Sequence, residues 1–199
     1  MQKKLTPKAL ILIALGVVFN IVLYKIAAIL GGGLLFMDTV GTIFVAAFLG
    51  PIPGILTGVL TNLVNGVLSG PMEIPFLLVN AAVGAIVGLT AQKTKNYNLQ
   101  TAIIVGLVLA VVCPLIGTPI AVWLFGGLTG SGTDFIVLWL KSTGMKLIPS
   151  AFYARIVENL VDKVISSLLV FAVLKALPLS LLKDSILENL IKEKENKLG

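Results

Sequence analysis

Six apolar runs, punctuated by glycine, proline and lysine, leave this chain one environment in which to fold. A membrane-crossing helix needs about 20 mostly apolar residues. The runs extend from Pro7 to Ile29, Leu34 to Leu49, Ile52 to Leu68, Ile74 to Ala91, Leu99 to Phe125 and Phe152 to Leu177. Only 12% of the 199 residues are charged, 57% are hydrophobic and the mean hydropathy is +1.05. Soluble domains carry about 25% charged residues. The expected fold is all-α, a polytopic bundle of six transmembrane helices formed by residues 1–177, followed by a tail over 178–199.

Several function classes drop out on composition. There is no histidine, so histidine acid–base chemistry, histidine metal sites and haem ligation by histidine are excluded. No metal site is expected, and nickel or cobalt has no ligand cluster to hold it. The lone cysteine, Cys113, has no disulfide partner within the chain and reads as a small packing residue. No phosphate-binding Gly-x-x-x-x-Gly-Lys-Ser/Thr loop and no Gly-x-Ser-x-Gly elbow is present. The chain is therefore read as no enzyme and as holding no cofactor. Met1-Gln2-Lys3-Lys4 before an apolar run resembles a signal peptide, but the run is too long and reads as the first span.

The net charge of +6 belongs to span-flanking residues and not to a nucleic-acid surface. With the N-terminus inside, ten lysines fall on the cytoplasmic side: Lys3, Lys4, Lys8, Lys93, Lys95, Lys175, Lys183, Lys192, Lys194 and Lys197. Only Lys141 and Lys146 fall in outer loops. That asymmetry places both termini in the cytoplasm of a multi-pass cell-membrane protein. Trp123 and Trp139 then lie at the outer interface.

Polar side chains inside hydrocarbon are costly and mark interiors or water-filled cavities. Here they gather in one half of the bilayer: Asn20 and Lys25, Asp38 and Thr39, Asn62 and Asn65, Asn80, and Arg155, Glu158 and Asn159, with Glu73 in a short outer loop. Interhelical glue has no reason to prefer one leaflet, whereas a pocket open to the outside has. Arg155, Glu158, Asn159 and Asp162 share one helix face. They form either one wall of a site or a self-satisfied network in which Arg155 meets Glu158 and Lys163 meets a carboxylate.

Local patterns refine the picture. Gly50, Gly54, Gly58, Asn62, Gly66 and Gly70 recur every fourth position, as do Asn80, Gly84 and Gly88. Small residues at that spacing let membrane helices pack closely, so the third and fourth spans should touch each other or a partner. Gly31-Gly32-Gly33 before Asp38 is either a lid hinge or a tight connection placing Asp38 in a first helical turn. Pro114 and Pro119 should kink or break the fifth span, whether to line a site or within ordinary packing. Thr133 to Lys141 reads as a short interfacial or re-entrant helix capped by Thr133. Beyond Pro178, Leu182, Ile186, Leu187, Leu190 and Ile191 form the apolar face of an amphipathic cytoplasmic helix, lying on the membrane or against a partner.

Phe36-Met37-Asp38-Thr39-Val40-Gly41-Thr42 leading to Leu49-Gly50-Pro51, and Gly66 to Pro75 leading to Asn80, carry a family likeness. The stretch from Lys8 to Leu177 resembles the substrate-binding S components of energy-coupling factor (ECF) vitamin transporters. The resemblance implies capture of a micronutrient from outside, docking on a membrane scaffold subunit with two ATPase subunits, and toppling to release the cargo inside. ATP is then used only by the partners. It also implies a substrate-binding set of Asp38, Asn65, Glu73, Asn80, Arg155, Glu158 and Asn159. The family's Ala-xxx-Ala docking motif is missing from the first span. Gly16-xxx-Asn20 is the nearest substitute, and the glycine stripe of the third span is another candidate docking face.

A pocket mixing carboxylates, amides and one arginine suits a polar nutrient, such as a B vitamin bearing an amine or hydroxyl. Two other readings stand beside a substrate-binding subunit. One is an ion-coupled carrier using Asp38, Glu158 or Asp162; the other is a non-transporting scaffold whose polar residues only join helices.

Overall fold

The computed structural model describes residues 6–30 and 35–198, and among these every regular element is helical. Lys3, Lys4 and the triple glycine at 31–33 lie outside the described residues. The long helices are α1 (Pro7–Leu30), α3 (Pro51–Leu68), α4 (Leu77–Thr94), α5 (Leu99–Phe125) and α7 (Leu147–Ala176). Shorter ones are α2 (Val40–Leu49), α6 (Thr133–Ser142), α8 (Leu179–Leu182) and α9 (Glu188–Leu198). A 3-10 helix, Pro71–Phe76, joins α3 to α4.

Four helical segments are long and apolar enough to cross a membrane: Pro7–Ile29, Pro51–Leu68, Pro71–Thr94 and Leu99–Phe125. The remaining two of the six sequence-predicted spans are of another kind. α2 has 10 residues, starting at Val40 and not at Leu34, and is buried nearly all round. It is a central strut packed by α1, α3, α4 and α7. Its late start has a tertiary cause. The backbone N–H groups of Phe36 and Met37 donate to Asp162 Oδ1 at 3.1 and 2.7 Å, and Met37 adopts a φ of 49°. Asp38 is consequently two residues ahead of the helix and not in its first turn.

α7 is the other case. Its 30 residues extend about 45 Å at 1.5 Å per residue. It carries Arg155, Glu158, Asp162 and Lys163, all buried, while Val157, Leu160, Val161, Ile165, Leu169 and Val173 are exposed. Charges inside and apolar side chains outside invert a soluble protein's arrangement. α1 repeats this inversion, with Asn20 fully buried and Ile11, Val18, Phe19 and Ile29 exposed. The chain is membrane-embedded.

Helix contacts are set by missing side chains. A Cβ on Gly84 would stand 2.4 Å from the Gly54 backbone, and one on Gly88 would stand 2.3 Å from Pro51 Cα. A Cβ on Gly58 would meet the Asn80 carbonyl at 2.5 Å. The glycine stripe of α3 thus lies against α4 and α2, and does not face outward as a docking surface. Gly16-xxx-Asn20 likewise faces inward. Gly16 abuts the backbone of Gly41, and Asn20 Oδ1 accepts from Gly41 N at 2.6 Å while its amide donates to Thr42 and Thr61, both at 2.9 Å. α5 remains one helix through Pro114 and Pro119, and its close packing with α7 supports it across the missing N–H donors.

The tail folds back under the bundle instead of forming one helix. Leu182, Leu187 and Leu190 join the main apolar core. Ile186 N donates to Phe48 O at 3.0 Å and Asn189 N to Lys95 O at 2.9 Å. Exposed ion pairs Lys8–Asp184 (3.0 Å) and Lys95–Glu188 (2.8 Å) flank it. Nearby Tyr97 is fully buried, its hydroxyl 2.5 Å from Ser167 Oγ, and burial pushes its phenol well above the usual range. This tail end of the bundle is closed.

Candidate functional site

The opposite end is hollow. A cavity of about 460 Å³ lies among α1, the 35–39 segment, α3, the 3-10 helix, α4, α5, α7 and the 129–132 loop. Its size is that of small-molecule pockets, which range over roughly 300–1,000 Å³. Asp38, Asn65, Glu73, Asn80, Arg155, Glu158 and Asn159 all line it. Helix register brings four α7 residues, Arg155, Glu158, Asn159 and Lys163, to the cavity face. Asn20 is spent on helix packing and Lys25 is exposed, and neither lines the cavity.

Opposite charges three positions apart on a helix ordinarily attract into a pair. Arg155 and Glu158 do not pair. One Arg155 terminal nitrogen reaches only the Gly127 carbonyl, at 3.4 Å. Its Nε is buried and has no hydrogen-bond partner among the described residues. Glu158 accepts at Oε2 from Thr133 Oγ1, at 2.5 Å, while its Oε1 is also buried and unpartnered among the described residues. A buried polar group without a partner costs roughly 1–3 kcal/mol. Two such atoms of opposite character in one cavity wall fit a ligand that supplies both an acceptor and a donor.

Lys163 is handled differently. Its ammonium donates to Asp162 Oδ2 at 2.6 Å and Asp38 Oδ1 at 3.0 Å. Asp162 is fully buried, and its other oxygen holds the Phe36 and Met37 amides. Adjacent residues of α7 thereby fasten the segment carrying Asp38 over the cavity. Lys163 therefore does meet a carboxylate, as one half of the self-satisfied network requires, and the Arg155–Glu158 half is absent.

The remaining polar lining divides by whether its hydrogen bonds are already used. Asn80 is committed to the frame: its amide donates to Asn62 Oδ1 at 3.1 Å and Asp38 O at 3.5 Å, and its oxygen accepts from Thr42 at 2.7 Å. Asn159 donates to Arg155 O at 2.9 Å. Among the described residues, the side chains of Asn65 and Glu73 and the hydroxyl of Tyr24 have no hydrogen-bond partner. Thr133 does not cap α6, because its hydroxyl goes to Glu158. Asp134 takes over locally, accepting from Thr129 N at 3.0 Å and Gly130 N at 2.7 Å, which curls the 129–132 loop over the cavity.

Sequence reasoning did not assign Lys163, Tyr24 or the aromatic lining to the site. Tyr24 and Phe36 stack at 6.3 Å, and Phe76 and Phe125 approach at 6.4 Å. All four line the cavity. Aromatic residues near span ends carry no pocket signal of their own, since belt residues look the same. Among the described residues no cluster of acidic or cysteine side chains could hold a metal ion.

The family model for the ECF transporter substrate-specific component matches residues 8–174. No curated protein and no solved structure matches the chain.

Proposed function

This chain belongs to the family of ECF transporter substrate-specific components, and from that premise we propose that it is the high-affinity binding subunit of an ATP-driven importer for a water-soluble vitamin or related micronutrient. Members of the family are transporter subunits that bind small substrates and work with a membrane scaffold and ATPase modules. The finer assignment rests on one observation: Arg155 Nε and Glu158 Oε1, both buried in the cavity wall, lack partners among the described residues. A scaffold that only joins helices has no use for such a pair. The seven substrate-binding candidates Asp38, Asn65, Glu73, Asn80, Arg155, Glu158 and Asn159 are proposed to act at two levels. Asn65, Glu73, Arg155, Glu158 and Asn159 meet the ligand, whereas Asn80 and Asp38 also brace the frame.

We further propose six membrane passages, with α2 as a short sheltered one and both termini cytoplasmic. The lysine asymmetry supports this, because Lys8, Lys93, Lys95, Lys183 and Lys194 gather at the tail end. The cavity then opens to the outside. Energy comes from ATP hydrolysed on the partner subunits, since this chain carries no nucleotide motif.

The test is mass spectrometry of small molecules released by denaturing the purified full-length protein. A stoichiometric nutrient, lost in the Arg155→Ala/Glu158→Ala double variant, is expected. Protein that releases nothing and shows no thermal shift with a vitamin panel would return the weight to a scaffold or an ion-coupled carrier.

A further inference from the structure

The charge facing the cavity is unbalanced. Three carboxylates line it, Asp38, Glu73 and Glu158, against two cations, Arg155 and Lys163. Behind Lys163 the fully buried Asp162 adds a fourth carboxylate, so the negative surplus is two. Asp134 of α6, which holds the 129–132 loop, adds a further carboxylate within electrostatic range of Arg155, whereas α1, α3, α4 and α5 present only hydroxyls, amides, the Cys113 thiol and apolar groups.

The two cations are not equally available. Lys163 is buried and held by two carboxylates within 3.0 Å, so its charge is already answered. Arg155 has Glu158 one turn away on the same wall. Glu73 has no cation paired with it among the described residues, and it lies within electrostatic range of Asp38 and Tyr24. An incoming anion would find both positive groups offset and an unanswered carboxylate beside them. An incoming cation would find Glu73 unopposed and Asp38 only partly answered, since Asp38 shares the one Lys163 ammonium with Asp162.

The aromatic lining agrees with the charge. Tyr24–Phe36 and Phe76–Phe125 form two ring pairs around the same space. Aromatic faces attract cations through their quadrupole, and more strongly when water is excluded. Flat rings also stack there with little loss of side-chain freedom.

We propose that the ligand is a flat organic cation, an aromatic ring carrying a protonated amine or a quaternised nitrogen, with its charge beside Glu73 and Asp38 and its hydrogen-bonding end at Arg155 and Glu158. This rests on the binding-subunit reading and narrows it to one charge class. The same surplus repels anionic nutrients and gives neutral ones none of the attraction that the cation gains.

The experiment uses the purified full-length chain in lipid nanodiscs and titration calorimetry. The probes are thiamine and pyridoxamine as cationic rings, riboflavin as a neutral ring, and nicotinate and pantothenate as anions. The Glu73→Gln variant is titrated in parallel, its unfolding temperature verifying that the fold is intact. At least one cationic probe, or a released native ligand carrying positive charge at neutral pH, is expected to bind, about tenfold more weakly to Glu73→Gln. Tighter binding of an anion or of riboflavin, or an affinity unmoved by Glu73→Gln, overturns the charge assignment and leaves the binding-subunit reading standing. No response to any probe together with no released ligand overturns both.

Discussion

Lys163 and Asp38 are 125 positions apart in the chain and 3.0 Å apart in space, and the same ammonium lies 2.6 Å from Asp162. The two carboxylates differ in setting. Asp162 is fully buried, while Asp38 keeps about a third of its side-chain surface exposed. Removing one partner of a buried pair leaves an uncompensated charge, at a cost of about 3–5 kcal/mol. Lys163→Met is therefore expected to lower stability by that order, read from thermal unfolding in detergent. Adding Asp162→Asn should restore part of the loss, because it removes the orphaned charge. Asp38→Asn alone should cost less than Asp162→Asn alone, since Asp162 also holds the Phe36 and Met37 amides.

Much of this was legible in the sequence, and the parts that were not share a cause. Apolar runs located α1, α3, α4 and α5 to within a few residues, because a span must hide every backbone hydrogen bond over a fixed thickness. The four-residue glycine spacing points to close packing of the third and fourth spans on each other or on a partner, and the structure shows them on each other. The start of α2 was hidden, because it depends on Asp162, more than a hundred residues away, taking the Phe36 and Met37 amides. Thr133 reads locally as a helix cap, and only the fold brings Glu158 to claim its hydroxyl. Half-bilayer clustering gathered the seven cavity residues but could not tell Asn80, which is spent on the frame, from Asn65, which is open. It also took in Asn20, which faces the helices and not the cavity.

Asn20 provides the contrast. Its side chain makes four hydrogen bonds, to Gly41 N, Thr42 N, Thr42 Oγ1 and Thr61 Oγ1, at 2.6–3.4 Å. Asn20→Ala orphans buried partners, and a loss on the order of 2–3 kcal/mol is expected. Ligand affinity of the folded fraction should stay unchanged, because Asn20 does not line the cavity. A joint fall in stability and affinity would show that the α1–α2 contact shapes the site.

Glycine substitutions separate packing from cavity. A Cβ on Gly41 would lie 2.0 Å from Gly16 O, backbone against backbone, with no flexible side chain to give way. Gly41→Ala is expected to destabilise by about 1–3 kcal/mol or to prevent assembly of the bundle. Gly117 lines the cavity, and its nearest contact would be Val79 Cγ2 at an ordinary 3.5 Å. Gly117→Ala should leave the unfolding temperature nearly unchanged while reducing affinity for the largest ligands. Equal destabilisation by both would mean that α5 has no slack at the cavity.

The tail should loosen in acid. The Lys95 ammonium, hydrogen-bonded to Glu188, holds that carboxyl below its usual range. A depressed folded value means that the pair contributes fully above the ordinary carboxylate range and is lost as pH falls through the folded value. The pair is exposed, so the effect is small and salt-sensitive. Hydrogen exchange at Ile186 and Asn189, whose amides anchor the tail, should stay unchanged from neutral pH down to the ordinary carboxylate range and quicken as pH falls below about 4, after correction for the intrinsic rate. Unchanged protection would assign the anchoring to Leu182, Leu187 and Leu190 alone.

Arg155 and Glu158 provide the sharpest test of the site, because each has one atom committed and another free. Arg155→Lys keeps the charge but removes the Nε donor and the planar fork. Glu158→Gln keeps an oxygen but removes the charge. If the free atoms serve a ligand, Arg155→Lys should weaken binding at least tenfold while changing stability little, since the wild-type guanidinium makes only a 3.4 Å contact with Gly127. Thr133→Val should act at one remove. It releases Glu158 Oε2 and with it the anchor between α6 and α7, so ligand dissociation should quicken more than association changes. If Arg155→Lys instead stabilises the empty protein and leaves affinity unchanged, the unpartnered nitrogen is a packing defect and the binding wall lies on the Asn65–Glu73 side.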